Sequence, residues 1–240
     1  MSSILNVIMG EAPVDHKSDH LTNFEKIYFK LAQHLSVNLF EKYCKGIVEG
    51  IDHIANLKSG FIIASNHVSY LDWLVLYSVF KNRYGKEIIF LAKDKLFNSV
   101  IWKKLIKATK CIKVTDKGIS ISSMRRIYRT VKGGGIVGVF PEGTRSPTGE
   151  LLPAKEGFAK IAALTRAPIV PVGLIGFYEV WPRHKLLPSH FGNCKIKIGK
   201  PIFPDEIIGD NGGAKPDYDR IANIAMQNIA ELIGKKYSAG

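Results

Sequence analysis

From residue 60 onward, short apolar runs alternate with longer stretches whose apolar residues recur at helical spacing. The strand-length runs are Phe61–Ala64, Glu87–Ala92, Cys111–Thr115, Ile136–Phe140 and Pro168–Ile175. Between them the pattern predicts helices over Tyr70–Phe80, Phe97–Lys107, Ile119–Val131 and Glu156–Thr165. Lys195–Gly199 alternates Lys with Ile and Gly in period two, which predicts an edge strand. A closing helix is predicted over Tyr218–Ile233, with Ile221, Ile224, Ala225, Ile229 and Leu232 on one face and Gly234 as its stop. Such alternation predicts one α/β domain, a largely parallel central sheet flanked by helices, over residues 47–240. The stretch 209–215, rich in Gly, Asn and Asp, reads as a loop.

An amphipathic helical segment is predicted ahead of this domain, over residues 23–46. Phe24, Ile27, Tyr28, Leu31 and Leu35 recur at helical spacing, with Lys26, Lys30 and Gln33 between them. Phe29, Val37, Leu39, Phe40 and Tyr43 widen the apolar surface beyond one stripe. Two readings are open, a helix packed on the core and a helix that also dips into a membrane interface. Residues 1–22 are polar, mixed and expected to be poorly ordered. His16 and His20 there are spaced i, i+4, but histidines of a tail are the simpler reading than a metal pair.

Charge adds what the pattern does not. Lys plus Arg is 34 and Asp plus Glu is 21, a formal net charge of +13. A field of that sign attracts nucleic acid, anionic lipid surfaces or phosphorylated substrates without choosing among them. Zinc-finger and RNA-recognition patterns are both missing, so nucleic acid is not expected as a partner. Cys44, Cys111 and Cys194 lie far apart, without metal-ligand spacing, which suits a reducing compartment rather than a disulfide framework. The longest apolar runs, Trp73–Phe80 and Ile169–Tyr178, fall well short of the ~20 residues that span a bilayer. Ile4–Met9 lacks a basic leader and runs into Glu11 and Pro13, unlike a signal peptide.

Two segments stand out as candidate chemistry. The first is Asn66-His67-Val68-Ser69-Tyr70-Leu71-Asp72, between a strand and an apolar helix. A carboxylate beside an imidazole fixes its tautomer and stabilises the imidazolium formed when it takes a proton. A step of five residues turns about 140° on a helix, so His67 and Asp72 meet only if His67 lies in the preceding turn. Ser69 as N-cap provides that turn. The same letters read equally as a capping box, with Asp72 serving the helix terminus. The two readings are compatible.

The second segment is Phe140-Pro141-Glu142-Gly143-Thr144-Arg145-Ser146, directly after a strand. A glycine there exposes backbone N–H groups, Arg145 offers a forked donor for phosphate, and Thr144 and Ser146 add hydroxyls. Glu142 beside an anion site makes sense if it binds a substrate hydroxyl; a plain polar turn is the alternative. Gly133-Gly134-Gly135-Ile136-Val137-Gly138 matches G-x-G-x-x-G by letter, but a helix precedes it and a strand follows, the reverse of a dinucleotide fingerprint.

Together and in this order, Asn66-His67-x4-Asp72 and Phe140–Ser146 resemble the glycerolipid acyltransferase family, the 1-acylglycerol-3-phosphate acyltransferases. The resemblance covers roughly residues 45–205. It implies that His67 deprotonates a glycerol hydroxyl, that Asp72 orients His67, and that the hydroxyl attacks the thioester of acyl-CoA or acyl carrier protein. It implies acceptor binding by Glu142, Gly143, Thr144 and Arg145, with Arg145 on the phosphate. Pro171, within Ile169-Val170-Pro171-Val172, is the counterpart of a further motif, and the resemblance implies that it and Lys117 also belong to the substrate-binding set. Lys117, within Val114-Thr115-Asp116-Lys117, stands where the family usually has Arg, and a lysine brings a point charge without a fork. No metal or redox cofactor is implied, since the thioester supplies the acyl group.

The implied product is phosphatidic acid, made from lysophosphatidic acid in phospholipid biosynthesis. The expected setting is an anionic membrane surface on its cytoplasmic face, occupied peripherally. Lys117 motivates other acceptors for the same chemistry: glycerol 3-phosphate, another lysophospholipid or a lyso-amino-acid lipid. A non-catalytic lipid-binding scaffold is the alternative of a different class.

Overall fold

A computed structural model describes residues 22–98, 102–116, 118–189, 192–208 and 216–238. Helix α1 (Asn23–Asn38) runs into a π-helical turn at Leu39–Tyr43. Then come β1 (Ile47–Glu49), β2 (Phe61–Ser65), α2 (Asp72–Tyr84), β3 (Ile88–Lys93), α3 (Asp94–Phe97), α4 (Trp102–Ala108) and β4 (Ile112–Val114). The second half holds α5 (Ile121–Lys132), β5 (Ile136–Val139), α6 (Glu156–Thr165), β6 (Ile169–Ile175), α7 (Phe177–Val180), β7 (Lys195–Ile198), α8 (Pro204–Ile208) and α9 (Tyr218–Ile233).

The strands form one sheet in the order β1-β7-β6-β2-β5-β3-β4. Every neighbouring pair is parallel except β6 with β7. The sheet is buried on both faces, so its central strands are continuous apolar runs. In β2, Phe61 and Ile63 pack into one core with α1, α2 and α4, while Ile62 and Ala64 pack into the other with α5, α6 and α9.

Several expectations change on contact with the structure. Lys195–Ile198 is no edge strand: β7 lies between β1 and β6. Its period two reports that Ile196 and Ile198 are buried while the lysines are not, which is a statement about faces and not about lateral pairing. The edge belongs to β1, three residues too short to show a pattern. The helix expected over Phe97–Lys107 is met by two pieces, α3 ending at Phe97 and α4 beginning at Trp102. His16, His20 and the 209–215 stretch lie outside the described residues. Thr22, assigned to the tail, caps α1: its hydroxyl accepts from the Glu25 N–H, and Glu25 Oε2 accepts from the Thr22 N–H at 2.8 Å.

One face of helix α1 packs on the core. Phe29 packs edge-on against Tyr77 (5.4 Å between ring centres), and the Ser36 hydroxyl lies 3.3 Å from that of Ser78. Of the five residues the spacing singles out, Tyr28 packs partly on the core and the other four point the other way. Phe24, Ile27, Leu31 and Leu35 are each more than half exposed. Among the described residues, no helix is long and apolar enough to cross a membrane.

The topology makes a crevice. β2 sends its chain to α2 on one face of the sheet, and its neighbour β5 sends its chain to α6 on the other. The two exits diverge at the carboxyl edge, where ligands bind in open α/β sheets. Both candidate segments lie there, His67 after β2 and Glu142 after β5.

Candidate active site

His67 sits in the turn between β2 and α2, and Asp72 is the first residue of α2. The His67 Nδ1 lies 2.8 Å from Asp72 Oδ2. The same oxygen accepts the N–H groups of Val68 (2.7 Å) and Ser69 (2.8 Å). Three donors on one oxygen fix the carboxylate and curl the turn back onto it. Asp72 is fully buried, and its Oδ1 has no partner among the described residues.

Ser69 is not the N-cap; Leu71 is. The Ser69 hydroxyl donates instead to the Trp181 carbonyl at 2.9 Å. One half of the capping box exists, Asp72 reaching back to the Ser69 N–H, and the other half has been given to tertiary contacts. Asn66 secures the turn from below. Its amide donates to the Leu174 carbonyl at 3.0 Å and accepts the Leu174 N–H at 2.7 Å, extending the β2–β6 ladder with a side chain.

The loop after β5 grips His67 by one ring face and by its backbone. Phe140 stacks on the imidazole, 4.0 Å between centres and 15° from parallel, and is itself stacked on Phe90. Glu142 Oε1 accepts the His67 N–H at 2.8 Å, while the Ser146 N–H donates to the His67 carbonyl at 2.8 Å. Gly143 takes a left-handed φ of +65°, which strains any other residue, and a Cβ there would also push the flexible Lys155 side chain, 2.8 Å away.

A cavity of about 390 Å3 opens over this arrangement. His67, Gly143, Thr144 and Arg145 line it, as do Lys93, Lys95, Lys155 and Arg183. Trp73, Phe90, Leu96, Ile106, Phe158 and Ile161 supply apolar wall. The Arg145 guanidinium lies 3.5 Å over the Tyr70 ring, and its Nη1 is buried with no partner among the described residues. A stacked, desolvated guanidinium with an unused donor is suited to a phosphate or carboxylate oxygen.

The sequence model of the family described as Acyltransferase matches residues 45–175. The chain belongs to the acyltransferase family. It is 30% identical over 198 residues to a chloroplastic 1-acyl-sn-glycerol-3-phosphate acyltransferase of Brassica napus, covering 82% of this chain and 53% of that protein. The chain therefore spans little more than half the length of that plant relative. A Bacillus subtilis 1-acyl-sn-glycerol-3-phosphate acyltransferase is 33% identical over 180 residues, 74% of this chain and 83% of that protein. In fold, the chain is similar to the crystal structure of the 1-acyl-sn-glycerophosphate acyltransferase PlsC of Thermotoga maritima. The TM-score is 0.64 at 22% identity, covering 99% of this chain and 89% of that one.

His67, Asp72, Gly143, Thr144 and Arg145 converge in this structure. Glu142 and Pro171 lie outside the cavity lining. Glu142 is 1% exposed and spends both oxygens on backbone N–H groups, of His67 and of Leu152 (3.0 Å), so it holds the loops together and does not face a substrate hydroxyl. Pro171 is buried in β6 opposite Ala64, outside the cavity. Its missing N–H falls between the Val172–Ile198 ladder and the Ile169–Ile202 bridge, where none is needed. Lys117 lies outside the described residues. Phe140, Tyr70, Lys155 and Arg183 are additions. Phe140 carried a signal, opening the motif directly after its strand, whereas nothing in the local sequence marks Arg183.

Burial pushes the Glu142 carboxyl up from 4.5 to about 7, against the two N–H donors that lower it and with the Asp72 charge adding to the rise. The folded state thus retains a proton that the unfolded chain releases between pH 4.5 and about 7. This contribution to stability is complete below pH 4.5 and is lost as pH rises through about 7. Denaturant titrations across that window should show the wild type losing about 3 kcal/mol relative to Glu142→Gln. A pH-independent difference between the two would show that the carboxyl titrates normally.

Proposed function

We propose that this chain transfers an acyl group from a thioester, acyl-CoA or acyl carrier protein, to the free hydroxyl of 1-acylglycerol 3-phosphate. Phosphatidic acid and the free thiol are the products. The observation that carries this reading is the His67–Asp72 pair set beside an unpartnered Arg145 nitrogen in one cavity. With the Nδ1 proton directed at Asp72, Nε2 is the basic atom left to take the acceptor's hydroxyl proton. The oxygen forms its bond to the thioester carbonyl as the proton reaches His67. The tetrahedral intermediate then collapses, the C–S bond breaks and the thiolate leaves, taking up the proton. Asp72 offsets the charge that His67 carries between the two transfers.

Arg145 receives the acceptor's phosphate, and Gly143 and Thr144 shape the bend that holds it. The basic rim of Lys93, Lys95 and Lys155 suits the anionic groups of both substrates, and the apolar wall suits an acyl chain. The names of the relatives support the acceptor. In this reading the thioester brings all the driving force, with no metal or further cofactor. It includes peripheral attachment to the cytoplasmic face of a membrane, for which the uncovered stripe on α1 is the support.

The test is acceptor-dependent thiol release in mixed micelles, with acyl-CoA and acyl carrier protein compared as donors. Lysophosphatidic acid should outcompete glycerol 3-phosphate and phosphate-free lysolipids. Lipid binding with no release from any donor would instead establish a scaffold. Arg145→Gln should raise the KM for the phosphorylated acceptor by about 10–100-fold with a smaller change in kcat, the worth of a charge-assisted hydrogen bond. An unchanged KM would remove Arg145 from the acceptor site.

A further inference from the structure

Leu186 and Leu187 are 93% and 75% exposed, which ranks them among the barest large apolar side chains described. They are not on a loose strand of chain. The loop 181–189 is closed at its neck by the Ser189 N–H donating to the Val180 carbonyl at 2.7 Å. Inside, the Trp181 indole N–H donates to the Lys185 carbonyl, the Lys185 N–H to the Pro182 carbonyl, and Lys185 Nζ to the Ser189 hydroxyl. Pro182 is buried. A loop this well fastened holds its two leucines out in water at a cost that the fold does not repay.

The base of the loop rests on the catalytic turn. The Trp181 carbonyl accepts both the Ser69 hydroxyl and the Tyr70 N–H, and its ring packs on Tyr70, which in turn carries Arg145. Arg183, between the base and the tip, is exposed and lines the cavity of His67. His184 beside it is exposed as well. Leucines beyond a basic collar match the layering of an anionic bilayer, acyl chains below and phosphates above.

We propose that loop 181–189 is a membrane-contacting element that seats Leu186 and Leu187 among the acyl chains of an anionic lipid surface. Arg183 then lies at headgroup level, and the mouth of the cavity meets the lipid. The proposal rests on the reading of this chain as an acyltransferase with a lipid acceptor.

The experiment compares the wild type with the double variant Leu186→Ser/Leu187→Ser. Binding to vesicles of phosphatidylcholine and phosphatidylglycerol is measured by sedimentation. The variant should bind about tenfold more weakly or worse, as expected for removing two inserted leucines. Its acyl transfer to lysophosphatidic acid embedded in the vesicles should fall in step. Transfer to a short-chain acceptor dissolved as monomer should not change, since neither leucine lines the cavity. Unchanged vesicle binding would overturn the proposal. So would a loss confined to acyl carrier protein as donor, which would mark the loop as a protein-docking site. Leu186→Trp gives an independent reading: brominated lipid should quench the new indole, and no added quenching over wild type would also overturn it. Should the wild type acylate neither acceptor, the functional reading fails on its own, because the vesicle arm is read without turnover.

Discussion

Replacing His67 with alanine is expected to lower acyl transfer by about 10²–10⁴-fold while leaving the fold in place. The loss follows from removing the one group among the described residues of the cavity that combines a basic nitrogen with a buried carboxylate behind it. The fold survives because the turn is held by its backbone. The His67 N–H and carbonyl remain bonded to Glu142 and Ser146, and Asp72 keeps its two amide donors from Val68 and Ser69. Steady-state thiol release and a denaturation curve on the same preparation check both halves. Full activity in a folded His67→Ala variant would sink the mechanism.

Asp72→Asn is the second large effect, and it separates charge from geometry. The asparagine carbonyl can still receive the three donors that converge on Oδ2, with the amide nitrogen placed where Oδ1 now stands without a partner. The turn is preserved, but the neutral side chain no longer offsets the imidazolium. A fall in kcat of roughly 10³–10⁴-fold is expected, with KM for both substrates nearly unchanged. A comparable rise in KM would mean that Asp72 serves mainly to shape the site. A stability loss large enough to unfold the chain would mean that its charge holds the turn together.

The architecture was legible because burial of the sheet on both faces writes apolar runs into the chain. The ends of α6, β6 and α9 follow from their own residues almost to the position. His67 and Asp72 were legible for a similar reason: their contact spans five positions and one turn. The placement of Glu142 and Pro171 is not legible locally, because their surroundings come from elsewhere. Nothing between Phe140 and Ser146 reveals that both Glu142 oxygens are taken by distant amides. Nothing around Pro171 reveals which strand edge lacks a partner. For α1 the spacing of Phe24, Ile27, Leu31 and Leu35 identified a stripe, but periodicity does not carry the sign of the direction it faces. The Leu186–Leu187 tip was invisible for the opposite reason, since two adjacent leucines make no period at all.

The fastenings of the catalytic turn reach far along the chain. Glu142 lies 75 residues beyond His67, Leu174 lies 108 beyond Asn66, and Trp181 lies 112 beyond Ser69. Contacts of such range form after local ones, once the cost of closing long loops has been met. During synthesis, His67 and Asp72 emerge as neighbours with their local contacts to Val68 and Ser69, but the contacts from Glu142, Leu174 and Trp181 come only once β5, β6 and α7 have followed. A chain that stops short of α7 therefore lacks the long-range contacts around this pair. If the pair acts as proposed, competence for acyl transfer comes only once those contacts have formed.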